Sequence, residues 1–185
     1  MSWEKDLEEL KKRAELAKEM GGIERIAKHY ARGRLTVRER IEQLLDEGSF
    51  HETGEITGKV TYDENGEIKE FVPANFVFGR GKVEGREVVV AGDDFTVRGG
   101  AADARIGNKS LYSLKLAEHL RLPLVNLVDG SGGGGSVKTL ETMGATYVPG
   151  LPSWQNIVRL LSMVPVVGAC MGSVAGLGSA RVVAS

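Results

Sequence analysis

Two aliphatic segments that each end in a glycine-rich turn constrain the fold of this chain more than any other feature. The segments span residues 122–128 and 164–171, and a helical pattern over residues 152–163 separates them. Both are nearly continuous runs of aliphatic residues, which is typical of strands buried on both faces of a parallel sheet. The arrangement predicts a parallel βαβ unit and therefore an α/β fold.

Charge is distributed unevenly along the chain. The 185 residues include 24 basic and 25 acidic ones, but only five of these lie in residues 124–185, which also hold 11 of the 25 glycines. The length fits one ordinary domain with a hydrophobic core. The net charge of −1 argues against nucleic acid or an anionic membrane surface as a partner.

Three features bear on the compartment of the protein. Residues 3–6 lack the apolar core of a signal peptide, so we expect a cytoplasmic protein. The single Cys170 excludes an internal disulfide and a cysteine-based zinc site, and we expect it to be a small buried residue. Residues 160–180 are uncharged and carry glycines at four-residue spacing, as packed membrane helices do, but Pro165 and Gly178 interrupt them. We therefore expect a strand, a turn and a helix there, and no membrane contact.

The first 120 residues predict helices followed by hairpins. Helical spacing of apolar residues indicates a charged surface helix up to about residue 20 and a short second helix after it. Thr36 and Glu39 match a capping box at the start of a third helix. Turn signals at Asn65-Gly66 and Glu84-Gly85 predict two β-hairpins, and residues 109–120 predict a further helix.

The glycine-rich turns at residues 129–136 and 172–180 are the candidate functional segments. In a parallel α/β sheet, ligands bind outside the carboxyl ends of the strands, and glycine lets backbone N–H groups approach a ligand. The turns lack a phosphate-loop motif, and Ser131 and Ser179 do not fit the motif of a nucleophilic serine. An oxyanion hole made of backbone amides fits best. The alternative is that both are tight turns with a packing role only.

Other polar residues admit a functional and a structural interpretation. Asp93 and Asp94 form either a paired acid site or a turn cap. Lys109 either contacts a phosphate group or is a solvated lysine. The three histidines are expected to have surface or packing roles rather than catalytic ones: His29, His51 and His119.

Four segments follow one another along the chain, at residues 31–50, 79–100, 129–135 and 172–178. The first is the most specific and contains Ala-Arg-Gly-Arg-Leu-Thr-Val-Arg-Glu-Arg-Ile. Together they resemble the carboxyltransferase (beta) subunit of biotin-dependent acyl-CoA carboxylases, such as the propionyl-, acetyl- and methylcrotonoyl-CoA enzymes. The resemblance implies the crotonase-like ββα spiral of the ClpP/crotonase superfamily, truncated and preceded by N-terminal helices. It divides the chain into a helical segment, residues 1–48, and an incomplete acyl-CoA-binding carboxyltransferase domain, residues 49–185.

The resemblance also implies a site made of backbone groups. The catalytic set is Gly176, Leu177 and Gly178: the amides of Gly176 and Leu177 hold the thioester oxygen, and a register shift would use Gly178 instead. Leu177 stands where the family has a second glycine, and the first glycine-rich turn lacks the family's arginine. The expected substrate-binding residues are Gly99, Gly100, Ala101, Lys109, Gly132, Gly133, Gly134 and Gly135.

The implied reaction is transfer of a carboxyl group from carboxybiotin to the α-carbon of a short-chain acyl-CoA, through an oxyanion-stabilised thioester enolate. Biotin is expected on a partner carrier protein and not on this chain, so the implied partners are a biotin carboxylase or biotin carrier subunit and further copies in a homo-oligomer. No metal is expected. The chain alone is expected to be inactive. Two alternatives stay open: a subunit of a biotin-dependent decarboxylase, and a non-catalytic acyl-CoA-binding or assembly fragment.

Overall fold

The N-terminal part of the chain forms three helices. The computed structural model describes residues 3–101, 108–130, 137–146 and 153–185. The helices are α1 (Glu4–Lys18), α2 (Ile23–Tyr30) and α3 (Val37–Leu44). The predicted capping box begins α3: the Glu39 N–H donates to Thr36 Oγ1 at 3.3 Å, and the Thr36 N–H donates to the Glu39 carboxylate at 2.8 Å.

Within the described residues, seven strands and four further helices follow. The strands are β1 (His51–Glu52), β2 (Gly58–Tyr62), β3 (Ile68–Pro73), β4 (Phe76–Val83), β5 (Arg86–Asp93), β6 (Leu124–Val128) and β7 (Val166–Cys170). The helices are α4 (Lys109–Leu120), α5 (Val137–Met143), α6 (Trp154–Leu161) and α7 (Leu177–Val183), with a short 3-10 turn at Arg98–Gly100. Both predicted hairpins are confirmed, as β2–β3 and β4–β5, and the predicted helix over residues 109–120 is confirmed as α4.

The main sheet is mixed, in the order β1-β4-β5-β6-β7, and β2 and β3 form a separate two-stranded sheet. The pairs β1–β4 and β4–β5 are antiparallel, whereas β5–β6 and β6–β7 are parallel. The predicted βαβ unit is confirmed, because α6 connects the parallel strands β6 and β7. The carboxyl ends of β5, β6 and β7 therefore lie at one edge of the sheet.

The side chains of the central strands point alternately to the two faces of the sheet, and each face has its own hydrophobic core. Side chains of successive strand residues point to opposite faces, so Val88 and Val90 face one core and Val89 faces the other. The first core packs residues of β4–β6 against α4 and α6. The second packs Val77 and Leu127 against α3. Both faces of the sheet are thus covered, which is why the parallel strands are aliphatic.

Strand β7 is less buried than the sequence predicts. Val167 is 54% exposed, and Cys170 is an exposed free cysteine, so the expectation that Cys170 is buried is wrong. The physical reason is position: among the described strands, β7 pairs with β6 alone and forms the edge of the sheet. The uncharged segment around β7 divides into the end of α6, β7 and the start of α7. None of the described helices has the length and apolar content needed to span a membrane.

Candidate active site

Three backbone turns meet at the carboxyl edge of the parallel strands. Gly100 follows β5, Gly130 follows β6 and Gly178 lies in the first turn of α7, which follows β7. A Cβ on Gly100 would lie 2.3 Å from the carbonyl oxygen of Asp129, and one on Gly178 would lie 2.6 Å from the carbonyl oxygen of Gly130. No side chain fits at such distances, so glycine lets these three turns touch through their backbones. The structure brings together Gly100 and Gly178, two of the predicted site residues.

The start of α7 presents two unused N–H groups. Gly176 caps the helix with φ 57° and ψ −124°, a conformation that residues with a Cβ rarely adopt. Among the described residues, the N–H groups of Gly176 and Leu177 have no hydrogen-bond acceptor, and Gly176 is exposed. The N–H of Gly178 is used, because it donates to the carbonyl of Ala175 at 3.1 Å. Of the three predicted catalytic residues, only Gly176 and Leu177 therefore offer free donors.

Two buried carboxylates hold the turns together. Asp129, which is fully buried at the end of β6, accepts from Arg40 Nη1 of α3 at 2.7 Å, and Arg40 Nη2 also donates to the Met171 carbonyl after β7 at 3.3 Å. Asp93, at the end of β5, accepts from Arg181 Nη1 of α7 at 2.8 Å and 3.0 Å. It also accepts from the Asp129 N–H at 3.2 Å. The Arg40–Asp129 and Asp93–Arg181 pairs thus tie β5, β6, β7, α3 and α7 to one another.

These ion pairs were not predicted from the sequence. The sequence predicts either a paired acid site or a turn cap at Asp93 and Asp94, and only Asp94 is a cap: its Oδ1 accepts from the Thr96 N–H at 2.9 Å. Burial raises the pKa of Asp94 above its ordinary value, although the Thr96 hydrogen bonds oppose the shift. A signal was present in the sequence, because a charge in an apolar segment needs a partner, and Asp129 and Arg181 are two of the five charges in residues 124–185.

Lys109 lies in a different environment from the glycine turns. It is 6% exposed, its ammonium is 3.6 Å from Glu52 Oε1 of β1, and it stands 5.8 Å above the ring of Phe78 of β4. The alternative of a solvated lysine is therefore wrong. Burial lowers the pKa of Lys109, while the Glu52 carboxylate opposes that shift. The reason for its burial is that α4 begins against β4, so its first residue points into the sheet's covered face.

The remaining sequence candidates have simple positions. Gly132, Gly133, Gly134 and Gly135, together with Ser131, lie outside the residues that the structure describes. Gly99 and Ala101 flank Gly100 in the turn after β5. The Ser179 hydroxyl donates to the Val174 carbonyl at 3.2 Å, which is a local structural contact.

The three histidines occupy packing or surface positions. His29 is buried and stacks on Phe95 with ring centroids 5.8 Å apart, whereas His51 and His119 are exposed. The described ranges contain no cluster of three or more His, Cys, Asp or Glu side chains able to hold a metal ion. The chemistry that the described edge offers is hydrogen bonding by fixed backbone amides to an oxygen that gains negative charge.

Comparison with known proteins gives one consistent family. A sequence profile described as the carboxyl transferase domain matches residues 28–182. The chain is 29% identical over 178 residues to the carboxyltransferase subunit of propionyl-CoA carboxylase from Haloferax mediterranei, covering 95% of this chain and 33% of that protein. It is 31% identical over 172 residues to methylmalonyl-CoA decarboxylase subunit alpha from Propionigenium modestum, covering 93% and 32%.

Solved structures similar to this chain indicate the same family as the sequence comparisons. The transcarboxylase 12S structure with hydrolysed methylmalonyl-coenzyme A bound superposes with a TM-score of 0.75 at 28% identity, covering 100% of this chain and 36% of that one. The chain spans about a third of the length of the curated relatives it matches.

Proposed function

The chain belongs to the carboxyl transferase domain family and has its crotonase-like fold, and from that premise we propose that it supplies the acyl-CoA side of the carboxyltransferase component of an acyl-CoA carboxylase. In this role it binds a short-chain acyl-CoA and stabilises the thioester enolate formed from it. One observation carries the proposal: the N–H groups of Gly176 and Leu177, which have no acceptor among the described residues, stand beside the junction of three strand-end turns. The chain spans about a third of the length of this relative, so the complete transfer reaction is a proposal for the whole protein.

The chemistry requires charge stabilisation more than a side-chain base. When the α-carbon of the thioester loses its proton, negative charge moves to the thioester oxygen. Two preorganised amides at hydrogen-bond distance from that oxygen stabilise the enolate more than the neutral ground state, and this lowers the barrier. The α-carbon then forms the new carbon–carbon bond. Carboxybiotin on a partner carrier protein would supply the carboxyl group as its N–C bond breaks, and the freed biotin would take the α-proton; we assign no residue of this chain to hold it.

The glycine turns position the substrate in this proposal. We propose that Gly99, Gly100 and Ala101 contact the CoA portion. The predicted substrate contacts of Gly132, Gly133, Gly134 and Gly135, which lie outside the described residues, stay a prediction. We do not assign Lys109 to CoA, because its ammonium is buried and paired with Glu52. The cytoplasmic location, the homo-oligomer and the biotin carboxylase or carrier partner stay predictions.

A decarboxylase subunit is the second candidate. The relative from Propionigenium modestum, a methylmalonyl-CoA decarboxylase subunit alpha, matches at 31% identity. Removal of a carboxyl group from a malonyl-type thioester passes through the same enolate, so the same amides serve both directions. A third candidate, a non-catalytic acyl-CoA-binding fragment, requires thioester binding without any transfer.

A proline at the first position of α7 tests the amide assignment. Leu177→Pro removes one N–H at the helix position where proline is best tolerated, and Leu177→Ala removes the side chain but keeps the N–H. Carboxyl transfer to propionyl-CoA is measured with the biotin carrier and the C-terminal part of a related carboxyltransferase supplied. We expect Leu177→Pro to lower the rate by about 100- to 1,000-fold and Leu177→Ala to change it little. Equal transfer rates for the two variants would refute the role of the Leu177 N–H. If the unmodified chain binds propionyl-CoA but no carboxyl transfer occurs, the third candidate, a non-catalytic acyl-CoA-binding fragment, is favoured.

A further inference from the structure

An apolar cavity lies between α4 and the segment that follows β1. Its volume is about 540 Å³, which is within the range of small-molecule binding sites. We call it the α4 cavity, and its lining includes Thr53, Thr57, Phe78, Lys109, Tyr112 and Leu116. The proposed function assigns no role to any of these residues.

Both walls of the α4 cavity are fixed within the fold. The Thr53 N–H donates to the Phe78 carbonyl of β4 at 2.9 Å, and the Thr57 carbonyl accepts from the Ala74 N–H at 2.9 Å. These bonds hold the segment after β1 in place. The other wall is α4, whose Ala117 is fully buried in the first hydrophobic core. Because the cavity is preorganised, a ligand that binds in it loses less entropy in ordering its walls.

Positive charge is in excess at the Lys109 end of the α4 cavity. Arg38 donates to both oxygens of the Glu52 carboxylate, at 2.6 Å and 3.4 Å, whereas the Lys109 ammonium is 3.6 Å from Oε1 of the same carboxylate. Within the described residues, no other carboxylate lies within 4.0 Å of either cation. Glu52 therefore neutralises one of two cations.

The Lys109 ammonium also has N–H donors to spare. Lys109 is 6% exposed, and 3.6 Å is too long for a hydrogen bond to Glu52. In the part of the chain that the structure describes, this ammonium has no acceptor at a shorter distance. An anion that enters the cavity would supply the missing acceptor, and its attraction to a buried cation is stronger than in water.

The cavity continues from Lys109 along an apolar face of α4. Tyr112 and Leu116 follow Lys109 at i+3 and i+7, so the three side chains lie on one side of the helix. At 1.5 Å per residue, Leu116 lies about 10 Å from Lys109 along the helix axis. Tyr112 is 57% exposed, so part of its ring is available to a ligand. An anionic head at Lys109 would place an apolar chain over Tyr112 and Leu116.

The far end of the cavity carries Lys115 and His119. Both side chains are exposed, and the Lys115 ammonium lies 5.9 Å from the centre of the Tyr112 ring. Solvated cations attract an anion only weakly. The described lining includes no carboxylate that would repel an anion. The buried Lys109 is therefore the stronger of the two positions for a negatively charged head.

We propose that the α4 cavity binds a free carboxylic acid with a linear apolar chain of about eight carbons, with its carboxylate on the Lys109 ammonium. The inference does not depend on the proposed function. A carboxylate accepts charge-assisted hydrogen bonds from an ammonium, which supplies the head contact. Each methylene that the cavity removes from water tightens binding by about fourfold, which supplies the preference for a chain.

Calorimetry on this chain with three probes tests the inference. Octanoate has both parts of the expected ligand, octan-1-ol has the same chain without the charge, and butyrate has the carboxylate with four fewer carbons. We expect octanoate to bind, octan-1-ol to bind at least about tenfold more weakly, and butyrate about a hundredfold more weakly.

Two variants of α4 locate the carboxylate. Lys109→Met removes the ammonium and keeps an apolar stem, and Lys115→Met is the matched control at the exposed end of the same cavity. We expect Lys109→Met to weaken octanoate by about tenfold or more and to leave octan-1-ol unchanged. The control is expected to change neither. Circular dichroism and thermal unfolding midpoints verify that both variants fold.

A third variant tests the apolar part of the cavity independently of Lys109. Tyr112→Ala removes an exposed ring, so the fold is expected to survive even if Lys109→Met does not fold. Because this ring faces the chain and not the head, we expect Tyr112→Ala to weaken octanoate and octan-1-ol by the same factor.

Four results would overturn the inference. A folded chain that gives no octanoate binding heat at several temperatures would exclude the site. Equal affinities for octanoate and octan-1-ol would exclude a contact between the carboxylate and a cation. A loss of octanoate affinity in Lys115→Met but not in Lys109→Met would place the head at the other end. Competition between octanoate and propionyl-CoA would place octanoate in the candidate active site, and the Leu177 variants test that site separately.

Discussion

At the scale of single residues, Gly100 links conformation to the assembly of the site. Its φ of 63° is left-handed, and a Cβ there would meet the Asp129 carbonyl oxygen at 2.3 Å. Gly99 has nearly the same φ, 64°, but the nearest atom to its Cβ would be 4.0 Å away. Gly99→Ala therefore pays only the left-handed penalty of about 1–2 kcal/mol. Gly100→Ala must also separate two turns, so we expect a clearly larger loss of unfolding free energy in urea titrations. Equal losses would contradict the described backbone contact.

Lys109 gives a prediction about pH. Burial lowers its pKa below the ordinary value of 10.5, so the unfolded chain binds this proton more tightly than the folded chain. The folded state then gains stability as pH rises through the window that ends near 10.5. Lys109→Met removes this gain, and Glu52 keeps Arg38 at 2.6 Å as its partner. We expect the stability of the unmodified chain, relative to Lys109→Met, to increase as the pH rises toward 10.5 and to level off above it. A constant difference in urea midpoints would contradict the burial of a charged Lys109.

Contacts between residues that are close in the sequence were predictable, whereas contacts between distant residues were not. The capping role of Thr36 and Glu39 was predictable, because both partners lie within one helical turn. The pair Asp93–Arg181 joins residues 88 positions apart, and no local pattern connects them. The burial of Lys109 and the exposure of Cys170 depend likewise on which strands and helices become neighbours.

At the scale of elements, a buried ion pair joins α7 to the end of β5. Arg181 is the residue through which α7 holds the Asp93 carboxylate at the end of β5. Arg181→Met leaves Asp93 without that cation in a buried environment, and we expect a loss of about 3–5 kcal/mol in unfolding free energy. Arg159→Met is the matched control, because Arg159 pairs with Glu118 at 2.8 Å but is 67% exposed. Its expected cost is about 0–1 kcal/mol.

The measurement for both arginine variants is urea unfolding followed by circular dichroism. Arg181→Lys, which keeps the charge, is expected to recover part of the loss. If Arg181→Met costs no more than Arg159→Met, the pair does not anchor α7, and another contact must position the free amides.

Elements with local signals were predicted best. The hairpin turn at Asn65-Gly66 and the helix over residues 109–120 follow from short-range patterns, and the strands β6 and β7 follow from their aliphatic runs. Helix α5 lies where the sequence analysis assigned no element. The edge position of β7 was not predictable, since an aliphatic run does not say how many neighbours a strand has.

At the scale of the whole molecule, the mixed sheet gathers distant segments at one edge. The parallel arrangement of β5, β6 and β7 brings their following turns together, although these turns are separated by helices in the sequence. The α/β class and the family resemblance were accessible from sequence, and both are confirmed. The division of the chain at residue 48 stays a prediction; within it, α3 packs on the main sheet.

The central claim is that this edge of the sheet binds an acyl-CoA. The most direct measurement is a calorimetric titration of propionyl-CoA into this chain, with circular dichroism to verify folding. The account predicts a saturable heat with a micromolar dissociation constant, and its loss in Gly100→Ala at a temperature where that variant is still folded. A folded, unmodified chain that gives no binding heat at several temperatures would contradict the claim that the described residues form an acyl-CoA site.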